Sequence, residues 1–89
     1  MEITVLEHTK QRLKFELKGE GHTFCNILRK ELWLGKEPDI AGYSIEHSLV
    51  SQPVFVVESD KQDPVALLSA AVDRLQKKTS ELQEKFKKL

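Results

Sequence analysis

The sequence GEGHTFCNILRKEL, Gly19–Leu32, joins a predicted strand to a predicted helix. Its two glycines indicate a tight turn. The helix is expected to run from about Thr23 to Leu34, with Thr23 or His22 as its cap and Gly35 at its end. Apolar residues at offsets of three, four and eight form one stripe, Phe24, Ile27, Leu28 and Leu32. We expect this stripe to point away from the chain's own sheet, where it needs another surface to bury against.

Strands are predicted on both sides of this helix. The preceding segment, Arg12–Lys18, alternates strictly between apolar and charged residues, which is typical of a half-buried antiparallel strand. Another strand is expected at Met1–His8. After a loop containing Pro38, strands follow at Ile40–His47 and Val54–Ser59, the second apolar on both sides and therefore expected in the middle of the sheet. The pattern predicts an α+β fold in the order β-β-α-β-β-α, with a four-stranded antiparallel sheet carrying two helices.

The last helix is predicted to be unusually long for the domain. Asp63 and Pro64 form a strong start, a capping residue followed by proline at the first helical position. No glycine or proline follows Pro64, so the helix is expected to run to about Leu89. It would be roughly 39 Å long, whereas a compact domain of this size is roughly 31 Å across. We therefore expect the helix to extend beyond its own domain.

Apolar residues on this helix repeat at alternating steps of four and three, which is the spacing of a heptad seam. We call this set the seam: Leu68, Val72, Leu75, Thr79, Leu82, Phe86 and Leu89. A second apolar flank widens only its first half: Val65, Leu67, Ala70 and Ala71. The first half is expected to cover the sheet and also to meet a partner, and the second half to dock on the partner alone.

The residues beside the seam favour a different chain as that partner. They are Gln76, Lys78, Gln83 and Lys85, with no glutamate to pair across a self-dimer. The alternative is a long amphipathic helix folded entirely onto its own sheet. The lysines in this region resemble a nucleic-acid patch, but Glu81 and Glu84 interrupt them, which is more typical of a solvated helix face.

Composition indicates one small soluble domain, residues 1–89, that completes its core against a partner. Hydrophobic residues make up 39% of the chain and charged residues 31%. Fourteen basic residues balance fourteen acidic ones, which argues against a nucleic-acid binder held by phosphate contacts. A single cysteine, no signal segment and no apolar run of membrane-spanning length indicate a cytoplasmic protein.

Three chemical interpretations of the Gly19–Leu32 segment are disfavoured. A phosphate cradle is opposed by Glu20, whose carboxylate lies between the two glycines and repels an anion. Cys25 and His22 are three residues apart, but no third group orients the histidine, and a small buried thiol is the commoner outcome. A zinc site built from these two residues and His47 lacks a fourth ligand. The sequence therefore predicts no catalytic residue, no cofactor and no metal.

Two other side chains of the first helix stay open from sequence alone. Trp33 fits a core plug and an interface anchor equally well, since aromatic residues are enriched at the centres of interfaces. Arg29 is expected on the solvated side of the helix, although an interface ion pair also fits.

The segment Gly19–Leu32, followed by Ala41-Gly42-Tyr43-Ser44-Ile45-Glu46-His47-Ser48-Leu49, resembles the signature of archaeal DNA-directed RNA polymerase subunit L. This is the small alpha-like subunit, similar to the N-terminal domain of bacterial alpha. The resemblance covers essentially the whole chain, and the two motifs are specific in this order and spacing. One departure is visible, because Ser48 stands where the family usually has proline.

The resemblance implies a non-catalytic subunit of RNA polymerase, used in transcription. Members of this family form a heterodimer with a larger alpha-like subunit, called D in archaea, and the pair is the platform on which the catalytic subunits assemble. The implied interface residues are Phe24, Ile27, Leu28, Leu68, Val72, Leu75, Leu82 and Phe86. Cys25 and Asn26 would be packing positions at the helix start. The alternative function is a stand-alone homodimeric adaptor or nucleic-acid-binding module.

Overall fold

The computed structural model describes residues 1–35, 38–46 and 51–89. Its elements are β1 (Glu2–His8), β2 (Arg12–Lys18), α1 (His22–Leu34), β3 (Ile40–Ser44), β4 (Val54–Glu58) and α2 (Pro64–Lys87). The strands form one antiparallel sheet in the order β1-β2-β4-β3. The predicted α+β fold and its element order are confirmed.

The two middle strands, β2 and β4, hold the centre of the core. The strict alternation in β2 places Leu13, Phe15 and Leu17 on the buried face, beneath the helices. Phe55 of β4 is fully buried and stacks on Phe15, with ring centroids 5.6 Å apart. The prediction that the fourth strand lies in the middle of the sheet is confirmed, because β4 pairs with β2 on one side and β3 on the other.

The first strand lies at an edge of the sheet, and all its residues are exposed. Its register with β2 shifts between Val5 and Glu7, so that Leu6 forms a bulge. Ile3 and Val5 stay on the helix side of the sheet, yet they are 62% and 55% exposed. The first strand therefore adds an apolar surface that no helix of this chain covers.

The turn before α1 differs slightly from the prediction. Gly19 has a φ of 87°, a left-handed conformation that suits glycine. The helix begins at His22 with Gly21 as its N-cap, not Thr23 or His22. The reason is that the Gly21 carbonyl already accepts the Cys25 N–H at 3.2 Å, so the first helical hydrogen bond closes there without a capping side chain. The predicted end at Gly35 is confirmed.

The third strand is shorter than predicted, since β3 ends at Ser44 and not at His47. Ser44 pairs with Val54, the first residue of β4, so the ladder ends where β4 begins. The preceding Pro53 has no N–H to extend it. His47 and the turn around Ser48 lie outside the described residues.

The second helix starts as predicted. The Asp63 side chain accepts the Val65 N–H at 3.1 Å, and Pro64 occupies the first turn. The helix has 24 residues and ends at Lys87, two short of the predicted Leu89. The chain is 45 Å long in its largest dimension and has a radius of gyration of 14.3 Å, larger than the roughly 12 Å of a compact domain of this length.

Candidate interaction surface

An apolar groove of about 280 Å³ opens on the helix side of the sheet. It lies between β1, the start of α1 and the first half of α2. Among the described residues that line it, Ser69 is the only polar one, and the lining includes Ile3, Val5, Phe24, Leu28, Leu68 and Val72. The groove exists because α1 packs against β3 and α2 against β2, which leaves the β1 end of the sheet uncovered. Contiguous exposed apolar surface of this kind marks interaction sites.

The apolar stripe of α1 is divided between the core and the surface. Leu28 and Leu32 are buried in the chain's own core, at 4% and 2% exposure. The expectation that the whole stripe points away from the sheet is therefore wrong, because these two side chains are buried in the same core cluster as residues of β2 and β4. Phe24 is partly buried and lines the groove, whereas Ile27 is 47% exposed.

The seam residues of α2 become more exposed along the helix. In the first half, Leu68 and Leu75 pack partly against the core, and Val72 lines the groove. Beyond Leu75 every residue of α2 is exposed, including Leu82 at 56% and Phe86 at 63%. Of the second flank, Leu67 and Ala71 are buried, whereas Val65 and Ala70 are exposed. This chain therefore covers its sheet with the first half of α2 and leaves the second half uncovered.

A buried carboxylate joins the two helices, and sequence reasoning missed it. Glu31 of α1 is 3% exposed. Its Oε2 accepts from Arg74 Nε at 2.9 Å, and its Oε1 accepts from Lys78 Nζ at 2.6 Å. A second Arg74 nitrogen, Nη2, donates to the Glu31 carbonyl oxygen at 2.9 Å, near the C-terminal end of α1. We call these three residues the clamp.

Two signals in the sequence point to the clamp. Glu31 follows Leu28 by three residues, so a carboxylate lies on the apolar stripe of α1, where only a paired charge is tolerated. Arg74 and Lys78 are one turn apart on α2 and therefore face the same way.

The pKa of Glu31 is lowered most by the hydrogen bond from Lys78 and next by the hydrogen bond from Arg74, while burial acts in the opposite direction and raises it.

The residues that the sequence offered for a catalytic, phosphate or metal site have structural roles or are unreactive. Cys25 is fully buried, and burial, with a smaller effect of the Glu20 carboxylate, raises the pKa of its thiol, which disfavours the reactive thiolate. His22 Nδ1 lies 2.9 Å from the Tyr43 hydroxyl rather than against Cys25. The Gly19 N–H donates to Gln52 Oε1 at 3.0 Å, so it is not free for a phosphate. Among residues 1–35, 38–46 and 51–89, no three His, Cys, Asp or Glu side chains gather as metal ligands would.

The structure gives contacts for Trp33 and Arg29, the two side chains of α1 whose roles the sequence left open. Trp33 is neither a core plug nor fully free, because it is 44% exposed and its Nε1 donates to the Ala41 carbonyl oxygen at 2.9 Å. Arg29 donates to Asn26 Oδ1 at 3.1 Å, within its own helix.

Residues 12–85 match the family described as the RNA polymerase Rpb3/Rpb11 dimerisation domain. The chain belongs to this family. Relatives named DNA-directed RNA polymerase subunit Rpo11 include those of Methanococcoides burtonii, 32% identical over 99% of this chain and 97% of that protein, and of Thermococcus kodakarensis, 34% identical over 98% and 96%. The Rpo11 of Methanocella arvoryzae is 38% identical over 84% of this chain and 82% of that protein.

The fold of this Rpb3/Rpb11-family chain is also found in a crystal structure. DNA-directed RNA polymerase subunit L from Thermoplasma acidophilum superposes with a TM-score of 0.87, over 98% of this chain and 86% of that chain. At 24% identity this likeness supports the fold alone.

Membership in the family settles the functional class that the sequence predicted. The chain is a non-catalytic subunit of the Rpb11/Rpo11 type of DNA-directed RNA polymerase. Its domain is a dimerisation domain, so it associates with other polymerase subunits. Neither helix of the described chain is both long and apolar enough to span a membrane. The groove and the seam are the apolar surfaces of the described chain that a dimerisation partner could cover.

Proposed function

We propose that this chain pairs with the larger alpha-like subunit of RNA polymerase, called D in archaea, and that the heterodimer is the assembly platform for the catalytic subunits. The observation that carries the proposal is an apolar surface that runs from the groove along the seam and that the chain itself leaves uncovered. We assign the contact to Phe24, Ile27, Leu28, Leu68, Val72, Leu75, Leu82 and Phe86. As part of this proposal, the subunit acts in the cytoplasm.

The assigned residues have different tasks. Leu28 is almost fully buried and forms the floor of the groove, so it supports the interface rather than supplying free surface. Val72 is 40% exposed at the groove and offers direct contact. Phe86 is a large exposed aromatic side chain, a type that is enriched at protein interfaces. The partner is therefore expected to fill the groove and to run beside the second half of α2.

Charge on the second half of α2 supports a different chain over a second copy. Residues 76–89 contain five lysines and only two glutamates, Glu81 and Glu84. If two copies of this segment packed side by side, no glutamate beside one seam would face Lys85 of the other, so self-pairing would gain no charge complementarity. A partner with acidic residues beside its own apolar surface would instead be attracted. The larger alpha-like subunit is therefore expected to present carboxylates around Lys85.

Two charge insertions on α2 test the proposal. Phe86→Arg places a cation in the seam, whereas Ser80→Arg adds the same charge on the far side of the helix. Both positions are exposed, so neither change disturbs the core. We expect Phe86→Arg to abolish co-purification with the larger alpha-like subunit and Ser80→Arg to preserve it.

Other outcomes would overturn the proposal. Equal recovery of the partner with both variants would show that the second half of α2 is not the interface. A wild-type chain that forms a homodimer, or that binds RNA at physiological salt and ignores the larger alpha-like subunit, would support the adaptor function instead.

A further inference from the structure

The position of α2 over its domain rests on few contacts. Its buried residues, Pro64, Leu67 and Ala71, all lie in the first turns. Leu68, Arg74 and Leu75 are partly buried, and nothing beyond Leu75 is buried. The direction of the second half of the helix is therefore set by what holds α2 near residues 74–78, which is where the clamp acts.

The clamp holds α2 at two successive turns. Arg74 and Lys78 each take one oxygen of the Glu31 carboxylate. Arg74 also contacts the C-terminal end of α1, since it donates to the Glu31 carbonyl oxygen and lies beside Gly35. A carboxylate bonded from two points along a helix resists tilting of that helix, because a tilt lengthens one bond before the other. Charge-assisted hydrogen bonds are also the stronger ones.

A small tilt at the clamp becomes a large displacement at the end of α2. Ala71, the last buried residue, is about 22 Å from Phe86 along the helix, so a tilt of about 10° would move Phe86 by about 4 Å. Interfaces pack as closely as protein interiors, so a shift of this size separates a side chain from its pocket. Val72, one residue beyond the pivot, would scarcely move.

We infer that Glu31 is a positioning residue for partner binding: through Arg74 and Lys78 it aims the second half of α2 at the partner. This inference rests on the proposed heterodimer but adds a residue outside its contact surface. Its consequence is energetic coupling between Glu31 and Phe86, which lies far along α2, and none between Glu31 and Val72.

A double-mutant cycle on the full chain tests this coupling, with the Kd for the purified larger alpha-like subunit as the measured quantity. We expect Glu31→Gln to weaken binding about tenfold. We expect Phe86→Ala to raise the Kd by a factor that is at least threefold smaller in the Glu31→Gln background than in the wild type. Val72→Ala should raise the Kd by the same factor in both backgrounds. Lys78→Gln, which changes a side chain that is 58% exposed, repeats the cycle with a milder change if Glu31→Gln does not fold.

The matched control breaks an ion pair away from α2. Arg12 Nη1 and Glu58 Oε1 are 3.0 Å apart across β2 and β4, so Glu58→Gln removes an ion pair within the sheet that does not involve α2. It should leave the Kd within twofold of the wild type. An equal loss in this control, additivity of Glu31→Gln with Phe86→Ala, or no effect of Phe86→Ala would each overturn the inference.

The cycle separates this inference from the proposed function. If the wild-type chain does not bind the larger alpha-like subunit, the heterodimer fails and the positioning role fails with it. If Val72→Ala and Phe86→Ala both weaken binding but neither couples to Glu31, the heterodimer stands and only the positioning role is wrong.

Discussion

The indole N–H of Trp33 donates to the carbonyl oxygen of Ala41 at 2.9 Å. This bond ties the last turn of α1 to β3, an edge strand of the sheet. The bond satisfies the indole N–H beside Ala41, which is 6% exposed. The contact fixes α1 at the end opposite the groove.

Replacing Trp33 with phenylalanine should therefore destabilise the chain even though the side chain is 44% exposed. We expect Trp33→Phe to lower the free energy of unfolding by about 1 kcal/mol, the usual net contribution of one hydrogen bond. Urea unfolding followed by circular dichroism measures the change. Leu34→Ala is the control, because Leu34 is 66% exposed and its loss should have little effect. Equal stability of wild type and Trp33→Phe would contradict this account of the bond.

The Glu31 carboxylate should make stability depend on pH in a defined direction. Its pKa is lowered in the folded state, chiefly by the Lys78 hydrogen bond. Such a group stabilises the fold above its ordinary pKa of 4.5, and that contribution is lost as the pH falls through the lower folded-state value. Urea midpoints measured from pH 7 to pH 3 should fall more steeply for the wild type than for Glu31→Gln. Parallel profiles would show that the clamp does not hold an ionised carboxylate.

Cys25 should be chemically silent in the folded chain. It is fully buried and its thiol pKa is raised by burial, so iodoacetamide at neutral pH should modify it only after denaturation. Mass spectrometry of native and urea-treated samples measures the modification. Cys25→Ala should leave partner binding unchanged, since Cys25 belongs to the core and not to the groove lining. Rapid modification of the native chain would contradict the assignment of Cys25 to the core.

The start of α2 depends on the Asp63 cap. Asp63→Ala removes the acceptor of the Val65 N–H and should cost about 1 kcal/mol of stability. Asp63→Asn retains a side-chain oxygen and should recover most of it. Thermal unfolding of the three chains measures the difference. The same loss in both variants would mean that charge, rather than the capping hydrogen bond, is what matters.

Local sequence signals predicted the elements that depend on neighbouring residues. The cap at Asp63 and Pro64 fixed the start of α2, and strict alternation identified β2 with its buried face. The end of β3 was predicted wrongly, because its length depends on where β4 begins, and that pairing joins Ser44 to Val54 across ten positions.

Features that depend on pairing between residues far apart in the sequence could not be predicted from periodicity alone. The position of Glu31 on the apolar stripe signals a paired charge, but its partner Arg74 is 43 positions away, so α1 alone does not identify the pair. The uncovered face of β1 follows from its place at the edge of the sheet, which the alternation of Ile3 and Val5 does not encode. The candidate surface was therefore predicted along α2 but missed at β1.

The central claim is that a partner covers the groove and the second half of α2. Hydrogen–deuterium exchange of the full chain, alone and bound to the larger alpha-like subunit, tests it most directly. We predict fast exchange of residues 76–87 in the free chain and strong protection of these residues and of β1 in the complex, with β4 unchanged. Unchanged exchange at residues 76–87 and at β1 when the partner is bound would contradict the claim.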